Sequence, residues 1–447
     1  MRIRMIDFRR ALLPLLLAAA LCLGLLGGCN QNSSDPQGTE TATAGTKQKQ
    51  ITLDAGSDFA AIQEALSELP PDGILVFAAG TYTLDKPLIL EKPVTIEGAG
   101  AGLTSISAAD GKAVLSYSGP GKLHLKGITF SYTGTEAANV ASIKNADVHV
   151  ENCEFEGGVF KKEKGGGNGL EISGNSTGII LSVKSINNQN QGVDIRDDSS
   201  ITVESCIITG NRSGLAFRNN SGGTVKNSEI RKNQAIGILI MNSAELSIEN
   251  NTCTGNNTGM YISEDTKVEA YKNTCSNNGS IGIFVGKQAK GLLEENDCNK
   301  NSNSGIQVSG NAVITAKKNI CMNNKGNGIV LLDQTEALLE DNECNENASY
   351  GIGILGDCVI TARGNTCSEN SITGLVASAK AQANLERNIA NNNKTDGIGY
   401  LGSSTGKATE NECSGNKYGI FISPGANPVL SNNNCDKNTT ANIMDNR

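Results

Sequence analysis

The sequence predicts an all-β fold: a parallel solenoid of about 22 to 23 residues per coil, with a short N-terminal capping helix. Three observations predict it. Cysteine returns at a fixed interval, at Cys253, Cys275, Cys298, Cys321, Cys344 and Cys367, then at Cys413 and Cys435, with Ala390 in the slot between and Ile208 and Ile230 in the same slot upstream. Asparagine flanks that slot, two residues before it (Asn251, Asn273, Asn296 and on to Asn433) and three residues after it (Asn211, Asn233, Asn256 and on to Asn438). Apolar residues alternate between these marks, as in Gly282-Ile283-Phe284-Val285 and Ile314-Thr315-Ala316. Alternation of period 2 inside a longer repeat is a strand signal with turn punctuation. About three short strands fit one repeat, and such a coil buries its inner face only against its neighbours. Asparagine suits the corners because it tolerates left-handed backbone and bonds locally, and stacked asparagines can bond to one another.

Composition agrees. Trp is absent, aromatics are 4%, and Gly accounts for 52 of 447 residues. That is unlike a conventional large enzyme core and fits thin layers of small branched side chains joined by tight turns.

The elements follow in chain order. Arg2, Arg4, Arg9 and Arg10 precede an apolar run, "ALLPLLLAAALCLGLL", at residues 11–26. The run is too short and too abruptly ended for a stable membrane span. It leads into Leu26-Gly27-Gly28-Cys29, which resembles the bacterial lipobox. The resemblance implies removal of residues 1–28 and lipidation of Cys29, so that the chain is held on the extracytoplasmic side of a bacterial membrane; more than one acyl chain gives a lasting anchor. Residues 29–50 hold almost nothing to bury and read as a flexible tether. Losing residues 1–28 takes four Arg and one Asp from the 38 basic and 46 acidic residues, leaving a net charge of −11. An acidic chain without a basic block is a poor nucleic-acid binder. Nothing in the pattern asks for a second subunit, and a monomer is expected.

Residues 51–92 are expected to form the N-terminal cap and first strands. In "SDFAAIQEALSELPPDG", Phe59, Ile62, Leu66 and Leu69 share one helical face, and Ser57 or Asp58 can cap the start. "GILVFAAGTYTL" reads as strand, turn, strand, and residues 93–447 as the solenoid. The C-terminal "TTANIMDNR" offers no cap of its own, so that end is expected to be capped weakly or by a partner.

The cysteine column is not a metal site on this reading. A straight line of thiols does not converge tetrahedrally, and CxxC spacing is missing. Ile208, Ile230 and Ala390 share the slot, which makes it inward and apolar; the cysteines are expected to be buried free thiols acting as small hydrophobes. Disulfides between adjacent coils remain sterically open. Cys153, Cys206 and Cys358 lie off the column.

The repeat, from about Ile51 onward, is similar to that of the right-handed parallel β-helix proteins, the repeat family of carbohydrate-binding and sugar-hydrolysis type that includes pectin and alginate lyases, polygalacturonases and mannuronan epimerases. The resemblance implies a helix plugging the first coil and function on the outer faces. The Asp-Pro-His motif of the epimerases and the paired Asp and His-Gly motifs of polygalacturonases are absent.

On such an outer face, successive coils should align Glu171, Asp194, Ala216, Leu239, Tyr261, Phe284, Gln307 and Val330, with Ser173, Arg196, Arg218, Met241 and Ser263 two positions on. Glu171 and Asp194 then lie about 5 Å apart beside Arg196 and Arg218, a set suited to acid/base or calcium-assisted lyase chemistry. No other cofactor is called for. Tyr261 and Phe284, with Asp197 and Asp198, are candidate sugar-binding residues. The insertion "VFKKEKGGGNG", residues 159–169, is expected to overhang this face. His124 in "KLHLKG" and His149 in "DVHVEN" take analogous positions in adjacent coils and read as an outward structural pair. Three functions follow: binding of a polysaccharide or other cell-envelope polymer, a polysaccharide lyase or related activity, or a structural or protein-binding spacer projecting from the membrane.

Overall fold

The computed structural model describes residues 48–447. Cys29, the signal segment and most of the tether lie outside the described residues. Among the described residues, no helix is long and apolar enough to cross a membrane.

The chain winds through three parallel sheets. One holds 17 strands, from Gln50–Leu53 to Asn427–Ser431; a second holds 16, from Leu88–Leu90 to Ala441–Asp445; a third holds eight, from Gly80–Leu84 to Thr252–Thr254. Every coil pairs with the next in parallel register, as where Val313–Lys317 meets Glu336–Glu340. At the usual inter-strand spacing the longest sheet runs about 80 Å. The solenoid begins earlier than residue 93, because Gln50–Leu53 and Gly73–Phe77 are already rungs of the longest sheet. The third strand of each coil also shortens. After Thr252–Thr254 it survives as single bridging residues, Thr274, Asp297, Ile320 and onward to Asn434. The corner spacing does not change with it: four residues lie between the left-handed corners Asn227 and Lys232, around a three-residue strand, as between Lys272 and Asn277.

The one helix among the described residues, Phe59–Glu68, covers the first coil as its sequence predicts. Asp58 is the cap, accepting the Ala61 N–H at 2.9 Å. Ile62, Leu66 and Leu69 are buried, with Phe59 packed against the same core. At the other end no element covers the final coil among the described residues, and Val429 and Ile443 stand about half exposed.

The asparagines form two buried ladders. Asn319 donates its backbone N–H to Oδ1 of Asn342 in the next coil at 3.0 Å, and its Nδ2 to the same oxygen at 2.9 Å. Its Nδ2 also reaches the Leu293 carbonyl of the preceding coil. The pattern repeats from Asn251 to Asn433 and, in the second ladder, from Asn188 to Asn438. Left-handed backbone, however, falls on the residue before each ladder position: Lys272, Glu295, Lys318 and Asp341 before the first, and Asn277, Lys300, Asn323 and Glu346 before the second. The ladder asparagines are therefore selected for their amide side chains and not for tolerance of positive φ. A charged residue is strained at that φ, and the ladder holds it there.

Between the ladders lies the cysteine column. Register places Tyr82, Ile106, Phe130, Phe155, Ser185, Ile208, Ile230 and Cys253 in one line. All eleven described cysteines are free and buried. Burial pushes the thiols of Cys298, Cys321 and Cys344 well up, so none is a ready thiolate. The slot is narrow: a Cβ on Gly328 would sit 2.6 Å from the Gly351 carbonyl and 2.8 Å from the Cys344 Cβ.

Two outcomes are expected. Asn342→Ala leaves the Asn319 N–H and the Ala316 carbonyl without buried partners, a loss of roughly 3 kcal/mol that a denaturant melt will register. A thiol reagent should find the eleven described cysteines silent in the native protein and all reactive after unfolding without reductant; a shortfall in pairs would reveal disulfides.

Candidate functional site

Alternation along the 16-stranded sheet turns Leu170, Ile172, Val193 and Ile195 into the core and their neighbours outward. Register then builds the outer column as the sequence predicts: Glu171 pairs with Asp194, Asp194 with Ala216, Ala216 with Leu239, Leu239 with Tyr261, Tyr261 with Phe284, Phe284 with Gln307, and Gln307 with Val330.

At its N-terminal end the column becomes an ionic network. Glu171 Oε2 is held by the Arg196 guanidinium, by Asn139 Nδ2 at 3.0 Å and by Asn168 Nδ2 at 3.1 Å. Asn168 also reaches Asp194 Oδ2 at 3.3 Å. Arg218 Nε lies 3.4 Å from Asp194 Oδ1, and Arg196 Nε lies 4.0 Å from Oδ2. Asp194 is only 2% exposed, so the column faces outward without being open to solvent throughout. Burial pushes its carboxyl above the usual carboxylate range; Arg218 and Arg196 pull it back in part, and Glu171 adds to the rise. The two guanidiniums remain about one-third exposed and form the accessible surface of the network. Calcium at this pair would have to displace both.

Asn139 and Asn168 were not legible as site residues. Asn168 comes from the insertion, whose Phe160–Lys161 and Gly165–Gly166 form a small antiparallel hairpin at the border of the site. The insertion touches the site through Asn168, which is buried just past the base of the hairpin, while the hairpin's turn, residues 162–164, is exposed. Asp197 and Asp198 are turn residues. Asp197, at φ 63°, accepts from the Gly174 N–H and Asn219 Nδ2, both at 3.0 Å, and the first of these holds its carboxyl low. Asp198 accepts from Asn220 at 2.9 Å. Both staple one turn to another.

Three coils along from Asp194, Tyr261 and Phe284 stack on each other, with centroids 4.7 Å apart and planes 18° apart. Each ring therefore spends one face on its partner. Leu239 and Gln307 are the next register neighbours on either side, so the half-buried pair is not two open platforms.

The histidines occupy the outer face of the longest sheet. His124 and His149 are register partners, with ring centroids 4.4 Å apart and planes tilted by 43°. Glu151, two residues past His149, lies below both, with its two oxygens 3.6 Å from the two Nε2 atoms. Lys126 Nζ is 3.2 Å from Glu151. Burial lowers His124, assisted by the neighbouring His149 and opposed by Glu151. The alignment of the imidazoles is legible in the repeat; the carboxylate on which they converge is not.

Comparison with known proteins bears on the fold. No curated protein matches the sequence. The family model for the right handed beta helix region matches residues 213–367 and 350–446, and that for rhamnogalacturonase A/epimerase, pectate lyase-like, matches residues 54–270. Among solved structures, the A-module of an Azotobacter vinelandii mannuronan C-5 epimerase is 15% identical, over 88% of this chain and 97% of its own, with a TM-score of 0.35. A periplasmic alginate epimerase is 12% identical, over 86% and 83%, with a TM-score of 0.41. The catalytic domain of an alpha-1,3-glucanase is 13% identical, over 93% and 70%, with a TM-score of 0.30. With more than half of its length matched, the chain belongs to the right-handed parallel β-helix repeat family.

Proposed function

We propose that this protein is an extracytoplasmic β-helix, held to a bacterial membrane through lipidated Cys29, that binds a polysaccharide along the outer face of its 16-stranded sheet. One observation carries the reading: the outer column and the positions two residues beside it bring the two partly exposed guanidiniums and the stacked Tyr261–Phe284 pair onto one face, with the buried Ala216 and Leu239 between them. Its repeat of about 4.8 Å per coil is close to the rise of one sugar unit in an extended chain, so successive sugars can meet successive coils. Apolar ring faces suit C–H surfaces, and guanidiniums suit hydroxyl and carboxylate oxygens. The names of the similar structures, alginate epimerases and a glucanase, fit a polymer of this kind.

A glycan array carrying uronate and neutral oligosaccharides should show hits above background. Tyr261→Ala and Phe284→Ala should each weaken the best hit about tenfold, the usual scale for an aromatic anchor. An array with no hits would overturn the reading.

A lyase is the second reading, and the raised carboxyl of Asp194 favours it, since a general acid/base needs a displaced pKa. Against it, Asp194 is buried and one Glu171 oxygen, Oε2, is held by Arg196, Asn139 and Asn168. If it is right, polyuronate incubated with the protein yields unsaturated sugars absorbing in the near ultraviolet, and Asp194→Ala abolishes them.

Linkage gives a test of Asp194 itself. A raised folded-state pKa means that the folded protein binds the proton more tightly than the unfolded chain. The carboxyl's contribution is therefore complete below its ordinary value of 3.8 and is lost as pH rises through the raised value. Asp194→Asn, which mimics the protonated acid, should gain stability relative to the parent as pH climbs from about 3.5 to 7. Melts at both ends of that window check the sign.

A further inference from the structure

The His124–His149–Glu151 cluster has no part in the reading above, and its geometry is unusual for a structural surface patch. Both Nε2 atoms are buried and make no hydrogen bond. Each points at a different oxygen of the same carboxylate from 3.6 Å, too far for a hydrogen bond. A buried, unpartnered ring nitrogen is costly, and here there are two in adjacent rungs. With metal bonds of about 2.0 to 2.1 Å, neighbouring ligand atoms of a tetrahedron stand about 3.4 Å apart. The two nitrogen–oxygen distances already approach that edge, and all three donor atoms fall within 4.8 Å of one another.

We propose that His124 Nε2, His149 Nε2 and the Glu151 carboxylate form a site for a divalent transition-metal ion of the zinc or copper type. Two imidazoles and one carboxylate suit such ions and disfavour calcium and magnesium, which take oxygen ligands. The ligands stand on adjacent strands of one continuous sheet, so the backbone fixes their spacing. His149 is about one-third exposed, which leaves an approach from outside. The charged groups around the site are Lys126, 3.2 Å from Glu151, with Glu97 4.0 Å from the same ammonium, and Lys122 beside His124. Thr95 and Ile179 flank the histidines in the register and offer no competing charge. Lys126 is thus the group that a metal must displace from Glu151.

The test is titration of the full-length protein with Zn2+, and separately with Ca2+, followed by calorimetry, with Co2+ as a spectroscopic probe. One equivalent of Zn2+ should bind and Ca2+ should not. His124→Ala and His149→Ala should each weaken Zn2+ by at least roughly tenfold. Lys126→Met, which frees Glu151, should tighten it, and a variant that merely misfolds cannot produce that gain. Bound Co2+ should show nitrogen and oxygen ligation. Absence of Zn2+ binding, binding unchanged in both histidine variants, or a thiolate-to-cobalt charge-transfer band from the cysteine column would each overturn the proposal.

Discussion

The fold depends on one interaction, the amide side chain of a buried asparagine accepting the backbone N–H of the asparagine one coil before. At each of two corners the chain must turn while its backbone is sealed from water. An N–H at such a corner has no strand partner, and leaving it bare costs about 1 to 3 kcal/mol. Asn342 Oδ1 takes both the N–H and the Nδ2 of Asn319, and the Asn342 amide in turn bonds Ala316 and Asn365. The acceptor comes from the following coil, so no coil is complete by itself. Stacking is a condition of closure as well as a source of buried apolar area, and stability resides largely in the interfaces between coils.

Most of the repeat pattern follows from that constraint. The residue ahead of each ladder position is forced into left-handed backbone and is accordingly free to be Lys, Glu, Asp or Arg, because its side chain leaves the stack. The residue that opens the next strand must be Gly, because the coils approach to within a Cβ of each other beside the ladder. The column between the ladders then has room for a thiol or a methyl. It begins with Tyr82, Phe130 and Phe155, where the slot is wider and Phe130 and Phe155 stack at 5.5 Å, and it narrows to Cys253 and its successors. Cysteine here is a choice of volume, and the even spacing that suggests a ligand site is the spacing of the coils.

This is why the fold was legible and the chemistry only partly so. Cys344, Asn342 and Asn347 each recur in coil after coil, and repetition alone identifies inward positions and corners. The same repetition fixed the alignment of Glu171, Asp194, Tyr261 and Phe284, since register in a solenoid is a matter of counting. It did not show that Asp194 is buried, because that depends on where Arg196, Arg218 and the insertion's Asn168 lie in space. It did not bring out Asn139, nor Glu151, whose slot holds Glu in several coils (Glu97, Glu204, Glu249, Glu294) and is set apart only by the two histidines beside it. The left-handed corners were read one residue late, because asparagine has two reasons to stand at a turn and composition does not separate the side-chain reason from the backbone one.

The distribution of chemistry along the rod sharpens the point. From Cys275 to Cys413 the coils keep their interval, the ladders are unbroken, and the inner face is almost interchangeable from coil to coil. The unusual groups lie where the interval breaks. His124 to His149 is a step of 25 residues, His149 to its partner Ile179 is 30, and Ser142 to Glu171 is 29. The residues added in those steps include the hairpin that delivers Asn168 to Glu171 and Asp194. Upstream of Ser228 the first ladder is also not yet asparagine: Cys153, Val183 and Cys206 occupy its slot, and the Cys206 N–H donates to the Ser228 hydroxyl oxygen. The early coils are therefore held less by the ladder and more by large side chains, and their lengths are free to vary. A uniform ladder gives a rigid rod but leaves little latitude for groups that must converge, and the Glu171–Asp194 network and the His124–His149–Glu151 cluster both stand in the coils where that latitude exists, whereas the Lys317–Glu340–Arg363 network of the regular coils needs only the side chains of three successive rungs.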